Sequence, residues 1–268
     1  IRRPPRSTQS RSSAASDVYK RQGYMRHIFL RIDDIGASTK KFEIYSKTKL
    51  ANILFFKYLK SFRAWAPYPE LTKKQLEQVF ELLAKYDAKL TVGLTAAWVE
   101  KDSTLIPFPE KYPEQADLLK FASERGLIEI ANHGLTHCVV GEHLPKMFTS
   151  NRKYHREFWD WIPQDVHYDH LEKSQKIFYN WLGQSPTTFI PPGNIYSIDT
   201  LHAAKNHGIT KINSYINHSI ESEVDIIHND NIDAFHDREI VLYGVKWLEE
   251  KIKSYPDNAK FDLLKNYR

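Results

Sequence analysis

The stretch His27-Ile28-Phe29-Leu30-Arg31-Ile32-Asp33-Asp34-Ile35-Gly36 decides the fold. An apolar run from His27 to Ile32 reads as a strand, and it stops in two adjacent carboxylates. The same pattern recurs along the chain: His133 follows the run Leu127 to Ala131, Pro191 and Pro192 follow Thr187 to Ile190, and His236 follows Ile232 to Phe235. In a barrel of parallel strands the reactive side chains collect where strands end and loops begin. Four polar or turn signatures therefore map to one edge.

Working outward, short apolar runs alternate with amphipathic stretches, as in strand-helix units. Strands are predicted at His27 to Ile32, Lys89 to Leu94, Leu127 to Ala131, Thr187 to Ile190, Thr210 to Ile212, Ile232 to Phe235 and Lys260 to Leu264. Helices are predicted at Lys73 to Tyr86, Pro113 to Glu124, His170 to Trp181, Ile198 to His207 and Glu239 to Ser254. The fold class is α/β, with about seven parallel strands closed into a barrel. Gly36 to Thr72 is less regular, and Gly141 to Asp169 is an aromatic-rich insertion; loops of that length in a compact domain are usually functional.

The net charge of +5 is a property of the first residues alone. Residues 1–22 hold Arg2, Arg3, Arg6, Arg11, Lys20 and Arg21 against the single acid Asp17, and without them basic and acidic residues balance. This Arg-, Ser- and Pro-rich tail is too poor in large apolar residues to order itself. It resembles translated sequencing-adapter read-through, so 1–22 is expected to be a disordered, non-native tail ahead of a single catalytic domain at 23–268. The native N-terminus and any targeting signal are then missing, and the compartment stays open. No nucleic-acid partner is expected, and no apolar run reaches the roughly 18 to 20 residues of a membrane span. Oligomeric state is not readable from the chain. The lone Cys138 excludes an intramolecular disulfide and a thiolate metal cluster.

His133 and His137 stand four residues apart, and with one carboxylate they make a three-ligand set that leaves a metal an open position. Taken singly, each signal has an ordinary reading: Asp33-Asp34 as a cap or turn, the histidine pair as exposed or satisfied core, His236-Asp237 as weaker still. Their shared placement at strand ends is what argues for a site.

These residues resemble the polysaccharide deacetylases, the NodB-homology domain of carbohydrate esterase family four, over about Met25 to Leu264. Arg31-Ile32-Asp33-Asp34-Ile35-Gly36 is similar to that family's Thr-Phe-Asp-Asp-Gly motif, and His133-Gly134-Leu135-Thr136-His137 to its His-Ser/Thr-x-x-His motif. Phe189-Ile190-Pro191-Pro192-Gly193-Asn194 resembles Arg-Pro-Pro-Tyr-Gly, and Phe235-His236-Asp237 resembles Leu-His-Asp. The resemblance implies a distorted seven-stranded barrel acting on a carbohydrate substrate. It implies one divalent metal held by Asp34, His133 and His137, zinc first and cobalt, nickel or manganese after it. Asp33 would be the general base and His236 the general acid. The turn of Pro192, Gly193 and Asn194 would meet the oxyanion, most directly through the Gly193 N–H.

The chain departs from the family in three places. Gly134 replaces the usual hydroxyl residue, and the Asp-Trp motif has no clear counterpart near Asn213 to His218. Ile190 stands where the family has an arginine that orients the base. Arg31, two residues before Asp33 and so on the same strand face, is the candidate substitute, with Arg238 behind it. In the insertion, Arg152, His155, Arg156, Trp159 and Trp161 suit a substrate-covering loop, and a locally packed aromatic cap is the other reading. Beside a metal-dependent acetyl-removing hydrolase stand two alternatives, a metal-independent amidohydrolase on the same barrel and an inactive carbohydrate-binding barrel.

Overall fold

Strand β1 runs His27–Ile35, three residues past its predicted end, and is buried from Ile28 through Asp33. In the computed structural model, which describes residues 27–46, 48–65, 67–148, 151–215, 222–228 and 230–268, it lies near the middle of the main sheet. The expected tail at 1–22 falls outside the described residues. The other sheet strands are β2 (Leu90–Leu94), β3 (Ile128–Asn132), β4 (Thr188–Phe189), β5 (Lys211–Asn213), β6 (Asp225–Ile227) and β7 (Ile232–His236). They are all parallel, in the order β6-β5-β4-β3-β2-β1-β7. A short β8 (Lys260–Phe261) pairs with the start of β1. β6 and β7 occupy opposite ends of this path, yet only residues 228–231 separate them in the chain, so the sheet must curl. The result is a distorted half-barrel of seven parallel strands, in agreement with the fold read from the sequence.

The period-two alternation of β1 sets the two layers. Ile28, Leu30 and Ile32 join the main core with Val92, Ile130, Leu76, Val79 and Leu83, the last three from helix α1 (Lys73–Lys85). Phe29 points the other way, into a smaller cluster with Ala131, Ile190, Ile227, Ile232 and Leu264 inside the barrel. Arg31 and Asp33 share the parity of Phe29, which is why two charged residues on a buried strand face the interior.

The remaining long helices are α2 (Pro113–Glu124), α3 (Gln164–Leu182), α4 (Ile198–Asn206), α5 (Asp237–Tyr243) and α6 (Val245–Lys253). Thr72 with Gln75 and Ser197 with Thr200 form capping boxes that start α1 and α4. Two helix expectations are corrected. The single helix predicted over Glu239 to Ser254 is broken at Gly244, whose φ of 79° and ψ of 170° interrupt the hydrogen-bond ladder. α3 begins at Gln164, so the irregular insertion ends at Pro163 and not at Asp169. The strand predicted to Leu264 stops at Phe261 and gives way to a 3-10 turn, Leu264–Asn266. β6 and two antiparallel pairs, Tyr45–Ser46 with Arg63–Trp65 and Ala97–Val99 with Leu105–Pro107, have too few residues to show a period and were not predicted. No helix among the described residues is long and apolar enough to cross a membrane.

Candidate functional site

Asp33 and Asp34 both reach one cavity because β1 is irregular where they sit. The register against β2 shifts between Ile32 and Ile35, and Asp34 adopts φ 72°. A β-bulge re-aims one side chain, so two adjacent residues that would face opposite ways come to the same side. The sequence reading placed this break at the strand end; it lies within the strand.

His133 follows β3 directly and His137 completes the loop at φ 65°. The Nε2 atoms of both lie 3.2 Å from Asp34 Oδ1. His133 Nδ1 donates to the Ile190 carbonyl at 2.7 Å, which fixes the ring with Nε2 facing Asp34, where it donates to the carboxylate as an imidazolium and would offer a lone pair to a metal once that proton is lost. Four-coordinate zinc with bonds of about 2.0 to 2.2 Å would set its ligand atoms roughly 3.3 to 3.6 Å apart. The three donors converge to within 4.8 Å of one another and their two closest separations approach that spacing, so the set fits a divalent ion. Burial pushes the Asp34 carboxyl up, but the nearby His137 and the hydrogen bonds from both imidazoles hold it well below the usual range, as a ligand requires.

Asp33 is buried, with Oδ2 bound by Arg31 at 2.6 Å and Oδ1 without a hydrogen-bond partner among the described residues. Both terminal nitrogens of Arg31 are engaged: the guanidinium also donates to Asn213 Oδ1 at 2.5 Å and to Asn194 Oδ1 at 3.0 Å. Ile190, at the position of the family arginine, is packed in the barrel interior. Arg31 therefore reaches Asp33 from within β1. Arg238 instead lies 3.7 Å from Glu239 Oε1.

A cavity of about 230 Å³ joins these groups, lined by Asp33, Asp34, His133, His137, Gly193, Asn194 and His236. His236 is the N-cap of α5, and its backbone N–H donates to Glu239 Oε2 at 2.9 Å. The other walls come from the two irregular segments: Thr39, Lys40, Glu43 and Tyr68 from one, Arg152 and Arg156 from the other. Lys40 is buried between Glu70 and Asp237, and Tyr68 donates to Asp237 at 2.8 Å. Burial pushes the Asp237 carboxyl up to about 7, with Lys40 pulling the other way. Arg156 pairs with Glu43 at 3.4 Å and lies against Gly193, where a Cβ would come within 2.2 Å of its Nε.

The insertion thus divides between its two readings. Arg152 and Arg156 line the cavity. Of the others, His155 is buried and donates to the His143 carbonyl at 2.9 Å, and Trp161 packs edge-on against Tyr154; neither they nor Trp159 are among its described walls. The sequence did not reveal Lys40, Glu43, Tyr68 or Asn213, and it marked Asn194 for the oxyanion turn and not as a partner of Arg31. A lone Glu or Lys in an irregular segment, or an Asn closing a three-residue strand, carries no periodic signal, and only charge set among aromatics, as at Arg156, marks such a position.

The polysaccharide deacetylase family profile matches residues 67–212, more than half of the chain. The match contains His133, His137 and the Pro191 to Asn194 turn, while Asp33, Asp34 and His236 lie outside it. No curated protein sequence matches the chain. Among solved structures it is similar to a carbohydrate esterase family four pseudoenzyme from Bacillus anthracis, with 13% identity over 91% of this chain and 65% of the other and a TM-score of 0.47. It is also similar to a family four acetyl xylan esterase from Clostridium thermocellum in complex with a cobalt ion, with 11% identity, 90% and 89% coverage and a TM-score of 0.46. A family four carbohydrate esterase from Bacillus anthracis gives 12% identity, 94% and 90% coverage and a TM-score of 0.46. The chain spans about two thirds of the length of the pseudoenzyme it matches. On the profile match, the chain belongs to the polysaccharide deacetylase family.

Proposed function

We propose that this chain is a metal-dependent hydrolase that removes acetyl groups, N-acetyl in preference to O-acetyl, from a glycan or glycan precursor. The observation that carries the reading is the convergence of the Asp34, His133 and His137 donors on a cavity that Asp33 also lines. A divalent ion bound by those three residues, zinc first among the candidates, would supply Lewis-acid polarisation of the acyl oxygen and make water a stronger acid.

The chain's own groups supply the rest. Arg31 fixes one oxygen of Asp33, leaving the other to take a proton from the attacking water. In the Pro191 to Asn194 turn neither proline has an N–H, and that of Asn194 is used by the Pro191 carbonyl at 2.8 Å. The Gly193 N–H is left as the turn's donor to the developing oxyanion. His236, on the same cavity, protonates the departing amine. Arg152, Arg156 and Tyr68 are placed to contact hydroxyl or acidic substituents of the sugar.

The inactive-barrel alternative rested on the apolar residue at Ile190, and the grip of Arg31 on Asp33 favours the active reading over it. The test pairs metal content with acetate release from N-acetylglucosamine oligosaccharides and acetylated xylan. Wild type should hold about one equivalent of metal and His137→Ala should lose it. Asp33→Asn should keep the metal and release acetate about a hundred- to ten-thousandfold more slowly. Equal rates for wild type and Asp33→Asn, or wild type without metal affinity, would sink the reading.

A further inference from the structure

Between the two histidines the chain makes a tight loop, and each backbone N–H along it from 133 to 136 has a partner. His133 donates to the Leu94 carbonyl at 2.9 Å and Gly134 to Asn132 Oδ1 at 2.8 Å. The next two go to a single carboxylate: Leu135 to Glu157 Oε2 at 3.0 Å and Thr136 to Glu157 Oε1 at 2.6 Å. The Thr136 hydroxyl adds a contact at 3.3 Å, and His170 Nδ1 lies 3.4 Å from the same oxygen. Glu157 belongs to the irregular segment between Gly141 and Pro163, which the mechanism uses only for Arg152 and Arg156, and it is completely buried.

Gly134 makes this possible. A Cβ there would lie 2.1 Å from Glu157 Oε2 and 3.0 Å from Pro192 Cγ, and its φ of 83° is one that side chains rarely adopt. The carboxylate occupies the volume that any other residue at 134 would need.

We infer that Glu157 is a positioning residue that sets the spacing of His133 and His137 by binding the backbone between them, and that Gly134 is required to admit it. The inference rests on the reading of those histidines as metal ligands. Its physical basis is that the two N–H groups Glu157 binds belong to residues 135 and 136, so releasing them frees the loop to rotate His137 away from His133. Charge-assisted bonds from one rigid carboxylate restrict that rotation more than two neutral acceptors would. Groups that orient metal ligands are typically worth ten- to a hundredfold in metal affinity.

Two readouts test it, one of them independent of metal. The variants are Glu157→Gln, which is isosteric, and Glu157→Asp, which is a methylene short; Leu248→Ala, in the core on α6, is the control for general destabilisation. Hydrogen exchange of the peptide spanning 132–138 in the metal-free protein should accelerate at least tenfold in the Glu157 variants. In Leu248→Ala it should change only in step with the rest of the protein. Zinc affinity, measured by competition with a chromophoric chelator, should fall about ten- to a hundredfold in the Glu157 variants and hold in Leu248→Ala. Gly134→Ser should be severely impaired alone and partly restored when combined with Glu157→Ala, which vacates the space. Unchanged exchange at 132–138 in a folded Glu157→Gln protein overturns the inference, as does unchanged zinc affinity. If wild type binds no zinc, the proposed function fails while the exchange arm still decides whether Glu157 holds the loop.

Discussion

Replacing Arg31 with Met tests the arrangement that distinguishes this site. Methionine nearly matches the arginine stem in length and apolar bulk, so the substitution removes charge and donors more than volume. Arg31 is 1% exposed and Asp33 4%. Taking away the guanidinium leaves the Asp33 carboxylate in the barrel without the partner at Oδ2, and Asn213 and Asn194 each lose a donor. Stranding one member of a buried pair costs about 3 to 5 kcal/mol. At roughly 2 to 4 °C per kcal/mol for a chain of this size, the melting temperature should fall by about 6 to 20 °C. The double variant Arg31→Met/Asp33→Asn strands no charge and should melt above Arg31→Met alone, a sign that separates charge loss from packing loss. Activity follows from the same geometry: a base displaced by about 1 Å costs on the order of a hundredfold, expected in kcat more than in KM. Arg31→Lys should fall between, since one ammonium cannot serve three acceptors from the fixed fork. Circular-dichroism melts and an acetate-coupled assay read both effects. Arg31→Met melting within 2 °C of wild type with undiminished turnover would refute the reasoning, as would a double variant no more stable than the single one.

His155 is buried and burial lowers its pKa to about 4 from an unfolded value near 6.5. Because the folded value is the lower one, its stabilising contribution is present above pH 6.5 and is lost as the pH falls through about 4. Over that window wild type should lose roughly 3 kcal/mol more than His155→Gln; parallel urea-unfolding stabilities for the two from pH 7.5 to 4.5 would contradict this. Gly244→Ala should destabilise the protein by about 1 to 3 kcal/mol through backbone strain alone, since no atom lies within 4 Å of the added Cβ. A thermal melt unchanged from wild type would show that the break between α5 and α6 can relax.

The frame was legible in the sequence because it is periodic. The apolar runs of β1, β2 and β3 and the capped starts of α1 and α4 announce themselves locally, and Pro113–Glu124 begins and ends as predicted. β6 and the two antiparallel pairs were not legible, being two or three residues long, too short to show a period. The single helix expected over Glu239 to Ser254 failed at one glycine whose φ the pattern of apolar residues cannot reveal. In the site, parity along β1 was enough to nominate Arg31 for Asp33. It could not nominate Asn213 and Asn194, which meet Arg31 only because the sheet curls.

By itself the sequence determined which groups stand at the ends of parallel strands: Asp33 and Asp34, His133 and His137, the Pro191 to Asn194 turn and His236. Strand direction and period are local properties, written in residues two to four apart. The tertiary structure alone decided that both aspartates face one cavity, since that depends on a register shift against β2. It also decided that Arg31 binds Asp33 and that Glu157 enters the space left open at Gly134. Those outcomes depend on which side chains compete for the same few cubic ångströms once the sheet has curled, and no spacing along the chain carries that information.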